Sequence, residues 1–384
     1  MSNKSKREYL EAIRDRYRHA TKRGKQRILD EVCQVCGYNR KYAIRLLNAS
    51  PPSVHTPSQH RAGRVPQYTH PDILRFLKRL WKAGNLPCGK RLNAMIPLWL
   101  PFDESIAREA RERLQTISAA TIDRLLAPVR RLHTKCGLAT TKPGSLLKKH
   151  IPIKTNQWDE HIPGFLEADT VAHCGSSMAG MFAFTLNAVD IATNWSEQRA
   201  LWGKGERSTL EALTSIEAAL PFRVRGFDCD NGSEFINWTI LAHYTKRKRP
   251  VAYTRSREYH KNDNAHVEEK NWTHVRQYLG YERFNDPTIV PLLNDLYTNE
   301  WRLLMNFFLP SVKLTSKQRV KSRIIKTYDP PKTPLHRVLQ SPHVAPQRKR
   351  ELKSLFHQLN PFLLQQCVDK KIRLILTRVS HSRS

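Results

Sequence analysis

The chain has 384 residues, with 65 Lys and Arg against 34 Asp and Glu and a formal net charge of +31. This excess predicts a polyanionic partner. The sequence has no apolar run of membrane-spanning length and no leader-like N-terminus, which argues against a membrane or secreted protein. Its seven Cys include one close pair, Cys33 and Cys36, and neither a disulfide framework nor a zinc site with a second ligand pair is indicated. We expect a cytoplasmic protein whose close cysteine pair packs in a helical core.

The charge is unevenly distributed along the chain. Residues 1–150 carry 31 basic and 11 acidic residues, residues 151–240 carry 6 and 12, and residues 241–384 carry 28 and 11. Basic flanks suit salt-dependent binding to phosphates, whereas an acidic centre repels nucleic acid unless divalent cations offset its charge. The pattern indicates that a cation-binding segment lies between two nucleic-acid-binding ones.

Residues 1–48 have the pattern of a helix-turn-helix unit. Helical spacing covers 6–19, 22–36 and 39–48, with Gly37 as the break and Asn39 as the last N-cap. On the last helix Arg40, Lys41 and Arg45 alternate with apolar positions, so they are the candidate DNA-binding residues. A plain three-helix bundle with solvated basic side chains is an equally good interpretation.

Two connectors and a second helical unit follow. Residues 49–70 hold Pro among polar residues, which is typical of a linker. Residues 71–135 predict a second helical DNA-binding module, with helices over 71–83, 89–100, 103–115 and 118–132 and Ser118 as an N-cap. Residues 136–160 form a basic connector. Two modules on a flexible linker would hold a long DNA site at two places.

From residue 164 the period of the pattern changes to that of strands. Strands are predicted within 164–174, 181–190 and 195–202, then a helix opened by a Ser208 and Glu211 capping box. A strand over 222–229, a helix over 233–244, a strand over 251–255 and a helix over 264–280 complete the order βββαβαβα. We expect a mixed sheet with helices on its faces, spanning 161–310.

Acidic residues stand at distinctive places in this α/β segment. Asp169 lies on the first strand with Glu167 on the same face, and Asp230 ends the fourth strand before Asn231 and Gly232. By itself the Asp-Asn-Gly stretch favours an ordinary turn.

On the last helix, α-helical spacing aligns Glu268 with Val275 and Leu279 and turns Glu269 by about 100° toward solvent. A carboxylate on an apolar stripe with no basic partner one turn away indicates a bound cation.

Three stretches together resemble the signatures of the retroviral-type integrase domain of bacterial insertion-sequence transposases. They are AD at 168–169, CDNGSEF at 229–235 and NDNAHVEEKN at 262–271. The resemblance implies an RNase H-like fold with Asp169, Asp230 and Glu268 as catalytic and metal-binding residues. Asn231, Gly232 and Asn271 would support them. The two acids left over, Glu167 and Asp228, are expected behind the ligands or at the surface.

The same resemblance implies two Mg²⁺ or Mn²⁺ ions, double-stranded DNA as partner at element ends and target, a homo-multimer, and a bacterial, nucleoid-associated location. The function it implies is phosphodiester hydrolysis at element ends followed by strand transfer. A catalytically inactive DNA-binding relative and a structure-selective nuclease on the same fold are the alternatives.

The last part of the chain is predicted from composition. Residues 288–308 have helical, apolar spacing and should pack on the core, and 311–384 form a basic C-terminal region with final helices near 344–359 and 361–378. The stretch 312–339 suits contact with a DNA backbone or a solvated face. The predicted fold class is therefore multidomain, with N-terminal all-α helix-turn-helix modules, a central RNase H-like mixed sheet and a basic C-terminal region.

Overall fold

The computed structural model describes residues 2–49, 67–132, 160–230, 232–256, 264–320 and 322–381. It divides into two compact units, Met1–Pro66 and Gln67–Ser384. Most of the predicted linker, most of the predicted basic connector and Asn231 lie outside the described residues. Within the described part of the chain, no helix combines the length and the apolar character needed to cross a membrane.

The first unit is built from three helices, α1 (Asn3–His19), α2 (Lys22–Cys36) and α3 (Arg40–Asn48). Gly37 takes a positive φ of 67° after α2, which a residue without Cβ adopts at little cost. The Asn39 side chain accepts from Lys41 N at 3.1 Å, so the predicted N-cap is confirmed. Cys36 is buried and Cys33 packs against the same core, as predicted.

The second unit begins with four helices, and the described part of this region packs on the same core as the sheet. The helices are α4 (Pro71–Ala83), α5 (Gly89–Trp99), α6 (Arg108–Thr116) and α7 (Ala119–Arg130), with a 3₁₀ turn at Leu100–Phe102. Ser118 caps α7 as predicted. The helix predicted from 103 begins later, because the Asp103 carboxylate binds Ser105 N and Oγ and holds a turn there. Trp99 Nε1 donates to Phe308 O at 3.1 Å, joining α5 to the core.

Five strands form the central sheet in the order β3-β2-β1-β4-β5. They are β1 (Phe165–Ala172), β2 (Ala183–Asp190), β3 (Ser196–Trp202), β4 (Gly226–Cys229) and β5 (Ala252–Arg255). The first three form an antiparallel meander, and β4 and β5 run parallel to β1. Every residue of β2 is buried. This order and these directions are those of the RNase H-like fold, so the predicted mixed sheet and the order βββαβαβα are confirmed.

Two helices between the strands begin elsewhere than predicted. Helix α8 (Glu206–Ala219) starts before the predicted capping box, and Ser208 Oγ donates to Gly205 O instead of capping the helix, so that capping prediction was wrong. Helix α9 (Trp238–Thr245) begins after Asn237, whose side chain accepts from Ile240 N at 2.9 Å. Local capping chemistry, rather than apolar spacing, sets the start of α9.

The helix predicted over 264–280 is not uniform. Helix α10 (Ala265–Lys270) passes into a π-helix over Asn271–Arg276 and ends in the short α11 (Gln277–Leu279). A π turn contains more residues than an α turn, so side chains beyond Asn271 are rotated away from their α-helical positions.

The C-terminal part of the unit is folded. Helix α12 (Ile289–Leu296) continues in two π segments, Tyr297–Trp301 and Leu304–Phe308, and contacts β3, so the prediction for 288–308 is confirmed. An antiparallel hairpin of β6 (Leu314–Val320) and β7 (Arg323–Tyr328) follows, which the sequence reading missed. The chain ends in α13 (Pro334–Gln340), α14 (Pro346–Gln358) and α15 (Pro361–His381), the last of which packs on α12.

Candidate active site

Two carboxylates directly follow the last paired residues of the parallel strands β1 and β4. Residues Ala168 of β1 and Cys229 of β4 are in-register partners, and Asp169 and Asp230 directly follow them. Burial raises the pKa of Asp169 to about 7 and that of Asp230 to about 6. The charge of Asp230 is the second cause of the rise at Asp169. The pair therefore carries charge repulsion that no basic side chain fully cancels.

Asp169 is held from two sides. Its Oδ1 accepts from Thr170 N at 2.7 Å, and its Oδ2 accepts from Asn271 Nδ2 at 2.6 Å. Asn271 Oδ1 accepts in turn from Asn187 Nδ2 at 2.9 Å, and Asn187 Oδ1 accepts from Gln198 Nε2 at 2.8 Å. A polar row thus crosses β3, β2 and β1 and reaches the π-helix. Its sequence signal is Asn187, an amide side chain in the middle of a strand that is buried throughout.

Asp230 is oriented by a tight turn. Gly232 N donates to Asp230 Oδ1 at 3.0 Å. A Cβ on Gly232 would lie 2.6 Å from Glu234 Oε2 and 2.9 Å from Asp230 Oδ1, so only glycine fits between the two carboxylates. The predicted supporting residue Asn231 lies outside the described residues.

A third carboxylate, which the sequence reading did not single out, stands behind the pair. Glu234 is only 2% exposed, and its Oε1 accepts from Thr170 Oγ1 at 2.6 Å and Lys204 Nζ at 2.5 Å. Its charge helps to raise the pKa of Asp230, after burial, and Lys204 opposes that rise. The signal available in the sequence was an acid two residues beyond the Asn-Gly pair.

Glu167 and Asp228 form a deeper layer. They are in-register partners on β1 and β4, and both are fully buried. They were expected either behind the metal-binding carboxylates or at the surface, and they lie behind them. Glu167 Oε2 accepts from His266 N and Val267 N at 3.0 and 3.1 Å and thereby caps α10. Burial raises the pKa of Glu167 to about 8. Asp228 accepts from Thr254 Oγ1. Within this layer, Glu167 fixes the start of α10 against the sheet.

Glu268 lies on α10 with an exposed side chain, which corrects the prediction that it is buried on an apolar stripe. The prediction failed because the π-helix rotates Val275 and Leu279 off the face that α-helical spacing assigns to Glu268. Burial is the main cause that raises the pKa of Glu167, and the charges of Asp228 and then Glu268 raise it further, whereas the two backbone hydrogen bonds lower it. The carboxylate of Glu268 therefore stands near the cluster. Among the described residues no group of three or more His, Cys, Asp or Glu side chains is arranged to hold a metal ion.

The basic residues predicted to bind DNA in the first unit lie on one exposed surface of α3. Arg40, Lys41 and Arg45 are exposed, whereas Ala43 and Leu47 are buried. Arg40 pairs with Asp30 of α2, and the Arg45 guanidinium lies 5.0 Å from the centre of the Tyr42 ring. These contacts leave Lys41 and Arg45 directed away from the helical core.

Comparison with known proteins shows which family the chain belongs to. No protein-family model matches the chain. The uncharacterized protein y4rM of Sinorhizobium fredii (strain NBRC 101917 / NGR234) is 37% identical over 339 residues, which are 86% of this chain and 94% of that protein.

Two solved structures show a distant likeness. The HTLV-2 integrase catalytic core domain in complex with magnesium has 13% identity and a TM-score of 0.29, over 39% of this chain and 91% of that one. The simian T-cell lymphotropic virus intasome in complex with PP2A regulatory subunit B56 gamma has 12% identity and a TM-score of 0.32, over 63% and 73%.

The strand order, with Asp169 on β1 and Asp230 directly after β4, defines a protein with an RNase H-like core. Over most of its length the chain belongs to the same family as protein y4rM of Sinorhizobium fredii.

Proposed function

We propose that this protein is a DNA transposase or integrase, a polynucleotidyl transferase that cleaves phosphodiester bonds at element ends and joins the freed 3′ ends to target DNA. The observation that carries the proposal is the Asp169 and Asp230 pair, which directly follows the last paired residues of the parallel strands β1 and β4 and has raised pKa values. The resemblance of three sequence stretches to insertion-sequence transposases supports it.

The carboxylates of Asp169 and Asp230 are donors of the kind that Mg²⁺ and Mn²⁺ prefer. Hard cations prefer carboxylate oxygens, and two repelling carboxylates are stabilised when a cation lies between them. Asp169, Asp230 and Glu268 would hold the ions, two in number. When bound, such ions activate the attacking oxygen and stabilise the leaving oxygen of a phosphodiester displacement.

The residues around the pair would orient it. Asn271 and Thr170 fix both oxygens of Asp169, so that carboxylate presents its remaining lone pairs in one direction. Gly232 directs one oxygen of Asp230. Glu167, by capping α10, fixes the backbone that carries the exposed Glu268. Such outer contacts typically change metal affinity or activity by about 10- to 100-fold.

DNA binding is proposed for the basic surfaces around this core. Residues 1–48 would act as a helix-turn-helix module in which Arg40, Lys41 and Arg45 reach the DNA, and residues 71–135 would act as a second module. The net charge of +31 supports salt-dependent binding to phosphates. We propose that the protein acts as a homo-multimer on paired ends.

The first test is nicking of supercoiled plasmid and joining of labelled duplex ends by the purified full chain, with Mg²⁺, Mn²⁺ or EDTA. Asp230→Asn should lower both reactions about 100-fold or more, because a metal-binding charge is lost without a change of shape. The matched control is Asp228→Asn, two residues earlier on the same strand, which should change the rates much less.

Glu268→Gln has its own control in Glu211→Gln, an exposed glutamate on α8. We expect Glu268→Gln to lose both cleavage and joining, and we expect Glu211→Gln to keep both. Cleavage without joining would favour the structure-selective nuclease. A wild-type protein that binds duplex DNA but neither cleaves nor joins it, with cognate ends supplied, would favour the inactive DNA-binding relative.

A further inference from the structure

The β6–β7 hairpin has an unusual environment for a two-stranded ribbon. All six residues of β7 and the last four of β6 are exposed. Ile324 and Ile325, neighbours on the two faces of the ribbon, are 57% and 51% exposed. An isolated hairpin without a packed face is marginally stable in water. Packing in the core of this unit therefore does not account for the sequence of the hairpin.

The charge of the hairpin has one sign. Residues 314–328 contain five Lys and Arg and no Asp or Glu. Lys317 and Lys326 are in-register partners, and Arg319 and Ile324 form the next pair on the same face, two positions along the ribbon, so three cations share that face. Like charges directly opposite each other destabilise a ribbon. That cost disappears when a polyanion lies on this face.

The base of the ribbon is held firmly. Ser311 and Lys332 exchange two backbone hydrogen bonds of 2.9 and 3.0 Å. Asp329 accepts from Lys313 N at 2.6 Å and pairs with Arg337. Lys313 Nζ also donates to Ala192 O at 2.9 Å. The base of the ribbon is thus fixed to the folded unit, while Lys317, Arg319 and Lys326 are exposed.

We propose that the β6–β7 ribbon is a DNA-binding element of the proposed transposase, inserted along a groove of the duplex with Lys317, Arg319 and Lys326 on phosphates. A seven-residue strand is about 23 Å long, and the major groove admits a two-stranded ribbon. The charge favours DNA over a second copy of the chain, because lysines on exposed edges oppose strand pairing between copies. The inference rests on the proposed function for its biological meaning, but its test does not.

The test is the salt dependence of binding to a mixed-sequence duplex, measured on the full chain in EDTA. Lys317→Gln, Arg319→Gln and Lys326→Gln are combined in one variant. Each lost phosphate contact lowers the slope of log affinity against log salt by about 1, so we expect a decrease of about 3. Thermal unfolding should be unchanged, because these side chains support no core.

Two controls separate this surface from general charge effects. A variant with Lys349, Arg350 and Lys353 of α14 changed to Gln removes the same charge and should keep the wild-type slope. Lys317→Arg with Lys326→Arg should keep it too.

The inference is overturned by an unchanged slope in the ribbon variant or by an equal decrease in the α14 variant. It is also overturned if the ribbon variant alters the oligomeric mass and leaves the slope unchanged, since the ribbon would then contact another copy. Asp230→Asn should bind with the wild-type slope and not cleave. A wild type that never cleaves, together with a reduced slope in the ribbon variant, would refute the proposed function and leave the DNA-binding ribbon standing.

Discussion

Substituting Asp230 by Asn should change the stability of the protein in opposite directions with and without Mg²⁺. The two carboxylates follow in-register residues on strands about 4.8 Å apart. Two charges separated by one strand spacing repel by about 3 kcal/mol with an effective dielectric constant of about 20, which sets the order of magnitude for this pair. Both groups ionise fully only above their raised pKa values of about 7 and about 6.

The sign of the pH effect follows from proton binding. Asp169 has an ordinary pKa of 3.8 and a folded-state pKa of about 7, so the folded state holds the proton more tightly than the unfolded state. The stability that protonation of Asp169 contributes is fully present below pH 3.8. It is lost as the pH rises through 7, by up to about 4 kcal/mol. Asp230→Asn removes the neighbouring charge and preserves an oxygen for the hydrogen bond from Gly232.

The assay is chemical unfolding in EDTA and in Mg²⁺, at a pH above the raised pKa values. In EDTA the variant should be more stable than wild type by about 1–3 kcal/mol. Mg²⁺ at 100-fold its dissociation constant should stabilise wild type by about 2.7 kcal/mol and the variant much less. Equal responses to Mg²⁺, or a variant destabilised in EDTA, would refute the reasoning that these carboxylates repel each other and share a cation.

Three further outcomes follow from single contacts. Gly232→Ala should weaken the stabilisation by Mg²⁺ and lower the free energy of unfolding by about 1–3 kcal/mol, because its Cβ would press on Glu234 and Asp230. An unaltered response to Mg²⁺ would contradict the packing described. Asn271→Ala should lower the cleavage rate about 10- to 100-fold with unchanged duplex affinity in a gel shift, since the variant loses only a donor to Asp169. Burial lowers the pKa of His173 to about 3, so between pH 6.5 and 3 the unfolded state binds a proton that the folded state does not. The stability of the folded state therefore falls as the pH drops below 6.5, by about 1.4 kcal/mol per pH unit. In urea unfolding, His173→Gln should remove that part of the pH dependence, and parallel pH curves for variant and wild type would count against it.

Much of the candidate site was readable in advance because its signals are local. Asp169 and Glu167 share a face through the period of a strand, and Asp230 precedes a turn for which glycine is required. The order of strands and helices also follows from periodicity, which each segment carries by itself. These predictions did not depend on which segments become neighbours.

Other features depend on distant partners. Glu234 and Lys204 are unremarkable in sequence until folding places them within 2.5 Å of each other beside Asp230. Glu268 was assigned to the wrong environment, because a π-helix is stabilised by tertiary contacts and leaves no clear trace in apolar spacing.

The sequence by itself determined the class of fold, the strand ends that carry the acids and the basic character of both flanks, since propensity, periodicity and charge are properties of single segments. Only the tertiary structure decided that Glu167 caps α10, that a polar row from Gln198 to Asn271 fixes Asp169, and that residues 314–328 form an exposed basic ribbon. The physical reason is that hydrogen-bond partners, burial and the direction of a hairpin are set by residues far apart in the chain.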